Sequence, residues 1–203
     1  MTDDFKQHQQ TIYQEMMSHP ALFTHRRPQK IAIIDEDNAG IAKEALKHPG
    51  IAEIWQTHPS SSDQKNEPRI KLLSTTDGCH ESFDIIILAA EKIPQPVSSY
   101  YHLLHNDGIL LYQSASLFEW QKLKAQYTQL KSEGFYDIQI LSFPQPDYPT
   151  GWRSALLAIK NTAFKHISEK NVFNRPFTTQ YYNFDVHKAS LALPEFIREE
   201  LAL

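Results

Sequence analysis

The chain has 203 residues, 41% of them hydrophobic, enough for one well-buried core and requiring no second domain. Its 20 basic and 24 acidic residues leave a formal net charge of −4, so nothing attracts it in general to phosphate backbones or anionic lipid, and neither nucleic acid nor a membrane is an expected partner. Cys79 is the only cysteine, which excludes an intrachain disulfide framework and a cysteine-built structural zinc site. The first residues carry no basic region followed by an apolar run, and no later segment is apolar for the length of a bilayer, so a cytoplasmic location is expected.

In chain order, Ile12, Tyr13, Met16 and Met17 give an apolar stripe at helical spacing from Asp3 to about His19, and Pro20 is expected to end that helix. "KIAIID" reads as a strand, "AGIAKEALKHPG" as a helix with a Pro-Gly stop, and "IAEIWQT" as a second strand. The polar stretch His58 to Pro68 reads as a loop. "RIKLLST" is a candidate strand, and "SFDIIILAA" is continuously apolar, as expected of a strand buried on both faces of a parallel sheet. "VSSYYHLLHNDG" reads as a helix stopped by Gly108, and "ILLYQSA" as a strand. The amphipathic run 116–134 has Ser116 as N-cap and Gly134 as its stop. Strands "YDIQILSF" and "SALLAIK" and a short helix around "LPEFIREEL" close the chain. Alternating strands and helices predict a single α/β domain with a doubly wound, mostly parallel sheet.

Ligands of such sheets sit outside the carboxyl ends of the strands, so the residues just after each strand carry the information. The first turn is "DEDNAG", with Asp35, Glu36, Asp37 and Asn38 where glycines would let backbone N–H groups approach an anionic cofactor. After the second strand, where an acid would take ribose hydroxyls, stands His58 followed by Pro59.

Three segments carry a family resemblance. "YQEMMSHPALFTHRRPQKIAIIDEDNAGIAKEALKHPGIAEIWQ", "FPQPDYPTGWRSALLAIK" and "YYNFDVHKASLALPEFIREEL" resemble, respectively, the segment that enters the glycine-rich loop, the lid motif and the C-terminal signature of spermidine synthases, the polyamine aminopropyltransferases. The resemblance covers most of the chain from about Asp3 to Leu201. It implies a Rossmann-like fold of the S-adenosylmethionine-dependent methyltransferase type. Active relatives move an aminopropyl group from decarboxylated S-adenosylmethionine to putrescine, and a carboxylate after the fourth strand helps take the proton from the attacking amine. They also carry a small N-terminal β-domain, which is expected to be absent from residues 1–203.

Matched position by position, the resemblance places Tyr13, Gln14, Asp77, Gln113 and Tyr148 in the substrate pocket. The departures fall on the donor loop and the catalytic acids. The loop has become Asp35, Glu36, Asp37 and Asn38, the ribose acid has become His58, and "AAEKI" puts Ala89 and Lys92 at the two acid positions. Glu91, two residues on, is the candidate substitute base. The expectation is a catalytically impaired or inactive member of the family, a pseudoenzyme. The alternatives are a divergent active aminopropyltransferase or a module that binds a polyamine or a protein. No cofactor is required, decarboxylated S-adenosylmethionine being a co-substrate only if activity persists; a polyamine, a protein partner or a second copy of the chain are the expected partners. His102 and His105, three apart, invite comparison with a metal pair but have no third ligand in the sequence pattern. His187 is expected to serve packing or hydrogen bonding, and Tyr181, Tyr182 and Phe184 the core or an interface. Cys79 has no neighbour that forces a thiolate.

Overall fold

Short runs of aliphatic residues build the centre of the molecule. The computed structural model describes residues 3–35, 39–58, 67–74, 81–90, 95–164 and 167–203. Strands β1 (Lys30–Asp35), β2 (Glu53–Gln56), β3 (Ile70–Leu72), β4 (Phe83–Ala89), β5 (Leu104–Ser114), β6 (Asp137–Pro144) and β7 (Trp152–Ile159) form one sheet in the order β3-β2-β1-β4-β5-β7-β6. The pairings among β1 to β5 are parallel, and β7 runs antiparallel between β5 and β6. This is the expected doubly wound, mostly parallel sheet of the Rossmann-like, methyltransferase type. Strand order reverses between β1 and β4, which places the ligand crevice of such a sheet at their carboxyl ends.

The period of two along each strand sorts its side chains to two buried faces. Ile31, Ile33, Ile85, Ile87, Ile109 and Leu111 pack with Met16, Met17, Ala21 and Ile41, contributed by the N-terminal helices α1 (Asp3–Met16), α2 (His19–Thr24) and α3 (Ala39–Leu46) and the Met17–Ser18 link. Ala32, Ile34, Ile86, Leu88 and Leu110 face the other way. They meet α4 (Val97–Leu103), α5 (Trp120–Ser132) and, through Ile197, the last helix. Two short helices, α6 (Glu169–Phe173) and α7 (Phe184–Ser190), were not legible in the sequence, and α8 (Glu195–Leu201) is the short terminal helix expected there. Among the described residues no helix is long and apolar enough to cross a membrane.

Two helix boundaries differ from expectation for local reasons. α1 stops at Met16, before Pro20, and Pro20 lies in the first turn of α2, where a proline loses no intrahelical hydrogen bond. α4 stops at Leu103, not Gly108, because Leu104 turns extended and pairs with Phe83 of β4. Gly108 serves β5 instead. The strand carries extra residues between Leu104 and Ile109, and a Cβ on Gly108 would stand 2.9 Å from both the His105 carbonyl oxygen and Leu104 Cβ. His102 and His105 therefore do not share a helix, and among the described residues no group of three or more His, Cys, Asp or Glu could hold a metal ion.

Other caps match their residues. Ser116 accepts from Phe118 N–H ahead of a 3-10 turn, Leu117–Glu119, that leads into α5. Gly134 ends α5 at φ 98°, with Gly134 N–H donating to the Lys131 carbonyl and Phe135 N–H to that of Leu130, the paired bonds of a left-handed C-cap.

The C-terminal segment is fastened to α1 by one buried carboxylate. Glu15 is fully buried, and its two oxygens accept the backbone N–H groups of Gln180, Tyr181 and Tyr182 at 2.8, 2.9 and 2.7 Å. Tyr182 is itself buried and lies 3.0 Å through its hydroxyl from His187 Nδ1. Tyr181 and Phe184 pack against the same core, so this aromatic group is core. Beside it lies a chain of polar groups. Glu44 accepts from Lys47 at 2.6 Å and from His19 Nε2 at 3.1 Å, and His19 Nδ1 stands 3.0 Å from His48 Nε2. Burial lowers the pKa of both rings; with both neutral and Nε2–H of His19 given to Glu44, Nδ1 of His19 accepts from Nε2–H of His48. Phe23, Phe177 and Tyr182 surround these rings.

Removing the Glu15 carboxylate leaves three N–H groups without their acceptor. Glu15→Ala is expected to lower stability by about 3 kcal/mol or more in urea denaturation, and Glu15→Gln to remain destabilised because its amide nitrogen cannot accept. A second expectation concerns acid. Burial pushes His48 down to about 3 and His187 down to about 4, from an ordinary value of 6.5. Between 6.5 and these values the unfolded chain binds protons the fold refuses, so stability falls as pH drops through that window and is unaffected by these rings above it. Tm measured against pH should be level above about 7 and decline from about 6.5 toward 4, less steeply in a His48→Gln variant.

Candidate active site

The register of β1 and β4 pairs Asp35 with Ala89, so these residues stand side by side at the switch point of the sheet. Ala89 is half-buried and Ala90 buried. Tyr13 reaches this point from α1. Its hydroxyl donates to Gln113 Oε1 at 2.5 Å and lies 3.4 Å from the Ala89 carbonyl oxygen. Gln113, near the end of β5, is carried next to Ala89 by the parallel β4–β5 ladder, which pairs Leu88 with Tyr112.

Gln14 lies on the first turn of α3. A Cβ built on Gly40 would fall 2.0 Å from both Cδ and Nε2 of Gln14, so the side chain of Gln14 occupies the space that glycine leaves open.

The turn between β6 and β7 forms the far wall. Gln145 N–H donates to the Gly151 carbonyl, Tyr148 N–H to that of Gln145 and Gly151 N–H to that of Tyr148, at 2.8 to 2.9 Å, with Gly151 at φ 73°. Gln9 of α1 accepts from Asp147 N–H at 2.9 Å, and the Thr150 hydroxyl is 2.9 Å from Ser116 Oγ. These bonds hold Tyr148 over the site, where its hydroxyl donates to Glu119 Oε2 at 3.0 Å. Lys122, 2.7 Å from the other carboxylate oxygen, is the main reason that Glu119 is held below the usual carboxylate range, with the Tyr148 bond adding to it against partial desolvation.

Arg153 closes the gap between the two walls. Its guanidinium carbon is 4.5 Å from the centre of the Tyr148 ring and 5.3 Å from that of Tyr13, both within cation–π range.

Of the residues matched to a substrate pocket, Tyr13, Gln113 and Tyr148 are thus assembled around Arg153 and Ala89, and Gln14, next to Tyr13 on α1, lies against Gly40 of α3. Asp35 closes β1, and His58, two residues beyond β2, is exposed. Asp77, Glu36, Asp37, Asn38, Glu91, Lys92 and Cys79 lie outside the described residues. Sequence reasoning missed Arg153 and Glu119. The available signal was a charged residue opening the otherwise apolar run "SALLAI", directly after the Tyr-Pro-Thr-Gly turn.

Fold and crevice together define the class: a Rossmann-like α/β domain of the methyltransferase type, with its cleft at the β1/β4 switch point. No family model matches the chain. The polyamine aminopropyltransferase of Halorhodospira halophila is 32% identical over 217 aligned positions, covering 92% of this chain and 78% of its own length. That of Nitrosococcus oceani is 34% identical, covering 93% and 76%. The chain belongs to the polyamine aminopropyltransferase family. Among solved structures, spermidine synthase from Thermotoga maritima superposes with a TM-score of 0.83 at 24% identity, covering 95% of this chain and 75% of that one. A spermidine synthase in complex with the transition state analogue AdoDATO gives 0.82 at 23%. These two likenesses establish the shared fold.

Tyr13→Phe removes the bond to Gln113 and leaves its amide oxygen to water. The expected cost is about 1 kcal/mol in thermal or urea unfolding, with the sheet unchanged by circular dichroism.

Proposed function

We propose that this chain is a non-catalytic member of its family, in which transfer of an aminopropyl group from decarboxylated S-adenosylmethionine to putrescine has been lost. One observation carries the reading: the carboxyl end of β4, where the family pattern puts a catalytic acid, ends in Ala89 and Ala90. An amine attacks only after it has lost its proton, and a methyl group cannot take one. The nearby Tyr13 hydroxyl already donates to Gln113. Loss of a general base alone slows such reactions by about 10²- to 10⁴-fold.

The acceptor side of the cleft is better preserved than the donor side, and this shapes the rest of the proposal. Tyr13, Gln113 and Tyr148 still form a wall, whereas the donor loop is acidic from Asp35 to Asp37 and His58 stands at the ribose position. The protein acts in the cytoplasm as a structural or regulatory partner of another protein or of a second copy of itself, and requires no cofactor.

Incubation of the purified chain with decarboxylated S-adenosylmethionine and putrescine should yield no methylthioadenosine and no spermidine by mass spectrometry. Methylthioadenosine should leave Tm unmoved, although a ligand at a hundred times its dissociation constant stabilises by about 2.7 kcal/mol. Turnover would overturn the proposal and make Glu91→Gln the next variant to assay.

A further inference from the structure

We infer that Arg153 is a resident cation of the cleft, and that its guanidinium stands where an amine ligand would bind and bars diamines and polyamines from it. The inference rests on the reading of this cleft as the family's acceptor side and adds a specificity-determining residue to it. Two tyrosine rings within cation–π range of one point make a site for positive charge. Tyr148 and Tyr13 supply the rings, at 4.5 and 5.3 Å from the guanidinium carbon, and Glu119, paired with Lys122 through its other oxygen, holds the Tyr148 hydroxyl at 3.0 Å. Arg153 fills that site from within.

Three features make this more than a side chain resting on a surface. First, Arg153 is paired in register with Phe143 of β6, so it projects to the same face of the sheet as that buried ring, the face on which α1 and Tyr13 pack. Its direction is set by the ladder. Second, none of the ion pairs formed among the described residues involves Arg153. The ring faces are therefore its electrostatic partners, and a planar, weakly hydrated guanidinium suits them better than an ammonium does. Third, the rings are fixed independently of it: Tyr13 by Gln113 and Tyr148 by Glu119 and the hydrogen-bonded turn around it. An incoming ammonium would have to displace the guanidinium or sit against a like charge, and both are unfavourable.

The test is a spermidine and putrescine titration, at physiological salt, of the native chain, of Arg153→Met, which keeps the stem and removes the charge, and of Arg153→Gln. Arg153→Lys serves as the charge-retaining control. Native protein and Arg153→Lys should show no saturable stabilisation or heat. At least one neutral variant should gain saturable binding, tighter by about tenfold or more than native, as expected from removing a like charge at close range. Folded neutral variants that still bind no amine would overturn the inference, and so would native protein that binds spermidine as tightly as they do. If neither neutral variant folds, saturable binding by native protein overturns it and the absence of such binding upholds it. Equal amine binding by native and variant without turnover defeats the role of Arg153 alone; turnover by the native chain defeats the proposed loss of catalysis.

Discussion

A single carboxylate decides how the two ends of this chain meet. Glu15 is wholly buried beneath the C-terminal segment and takes three consecutive backbone N–H groups, those of Gln180, Tyr181 and Tyr182. A buried charge is tolerable only when its lone pairs are occupied, and here the occupants come from the far end of the sequence. The same segment delivers Tyr182 to the ring cluster of His19, Phe23 and His48, so the fastening sets the position of α1 from one side. α1 in turn carries Tyr13, Gln14 and Gln9 to the cleft. The geometry of the site is thus inherited from a contact on which no ligand need act.

The cleft itself is divided in its chemistry. On the side of α1, β5 and the β6–β7 turn, the Tyr13 hydroxyl is bonded to Gln113 and the Tyr148 hydroxyl to Glu119, and Arg153 lies against both rings. At the carboxyl end of β4 the sheet ends in small residues, Ala89 and Ala90. Gln14 adds to this by lying where a side chain on Gly40 would have to be.

Much of the sheet was legible in the sequence because its strands are near-continuous apolar runs, "KIAIID" and "SFDIIILAA" above all, which have few other ways to be buried. Helix ends were less legible. Val97 to Gly108 has the composition of one helix, but tertiary pairing of Leu104 with Phe83 overrides it and leaves the glycine to serve a strand. Pro20 breaks the pattern of α1, yet a proline suits the first turn of a helix and α2 begins around it. That Tyr13, Gln113 and Tyr148 approach one another is legible only through family likeness. Arg153 and Glu119 were not legible, because what makes them matter is the approach of three distant segments. Sequence spacing carries no record of that approach.

The antiparallel strand at the end of the sheet bears on how the protein is made. β6 precedes β7 in the chain, yet it reaches the sheet only through β7, which lies between it and β5. While the ribosome has delivered residues up to Pro144 but not Trp152 to Ile159, β6 has no ladder to join and β5 has an open edge with Leu110 and Leu111 beside it. The nascent chain therefore passes through a stage with two unpaired apolar strands. β6 and β7 are consecutive and joined by the short turn 145–151, so once Trp152 to Ile159 are available the two can pair as a hairpin that joins β5 through β7. Until the seventh strand is made, the sixth is tied to the sheet by no ladder of its own.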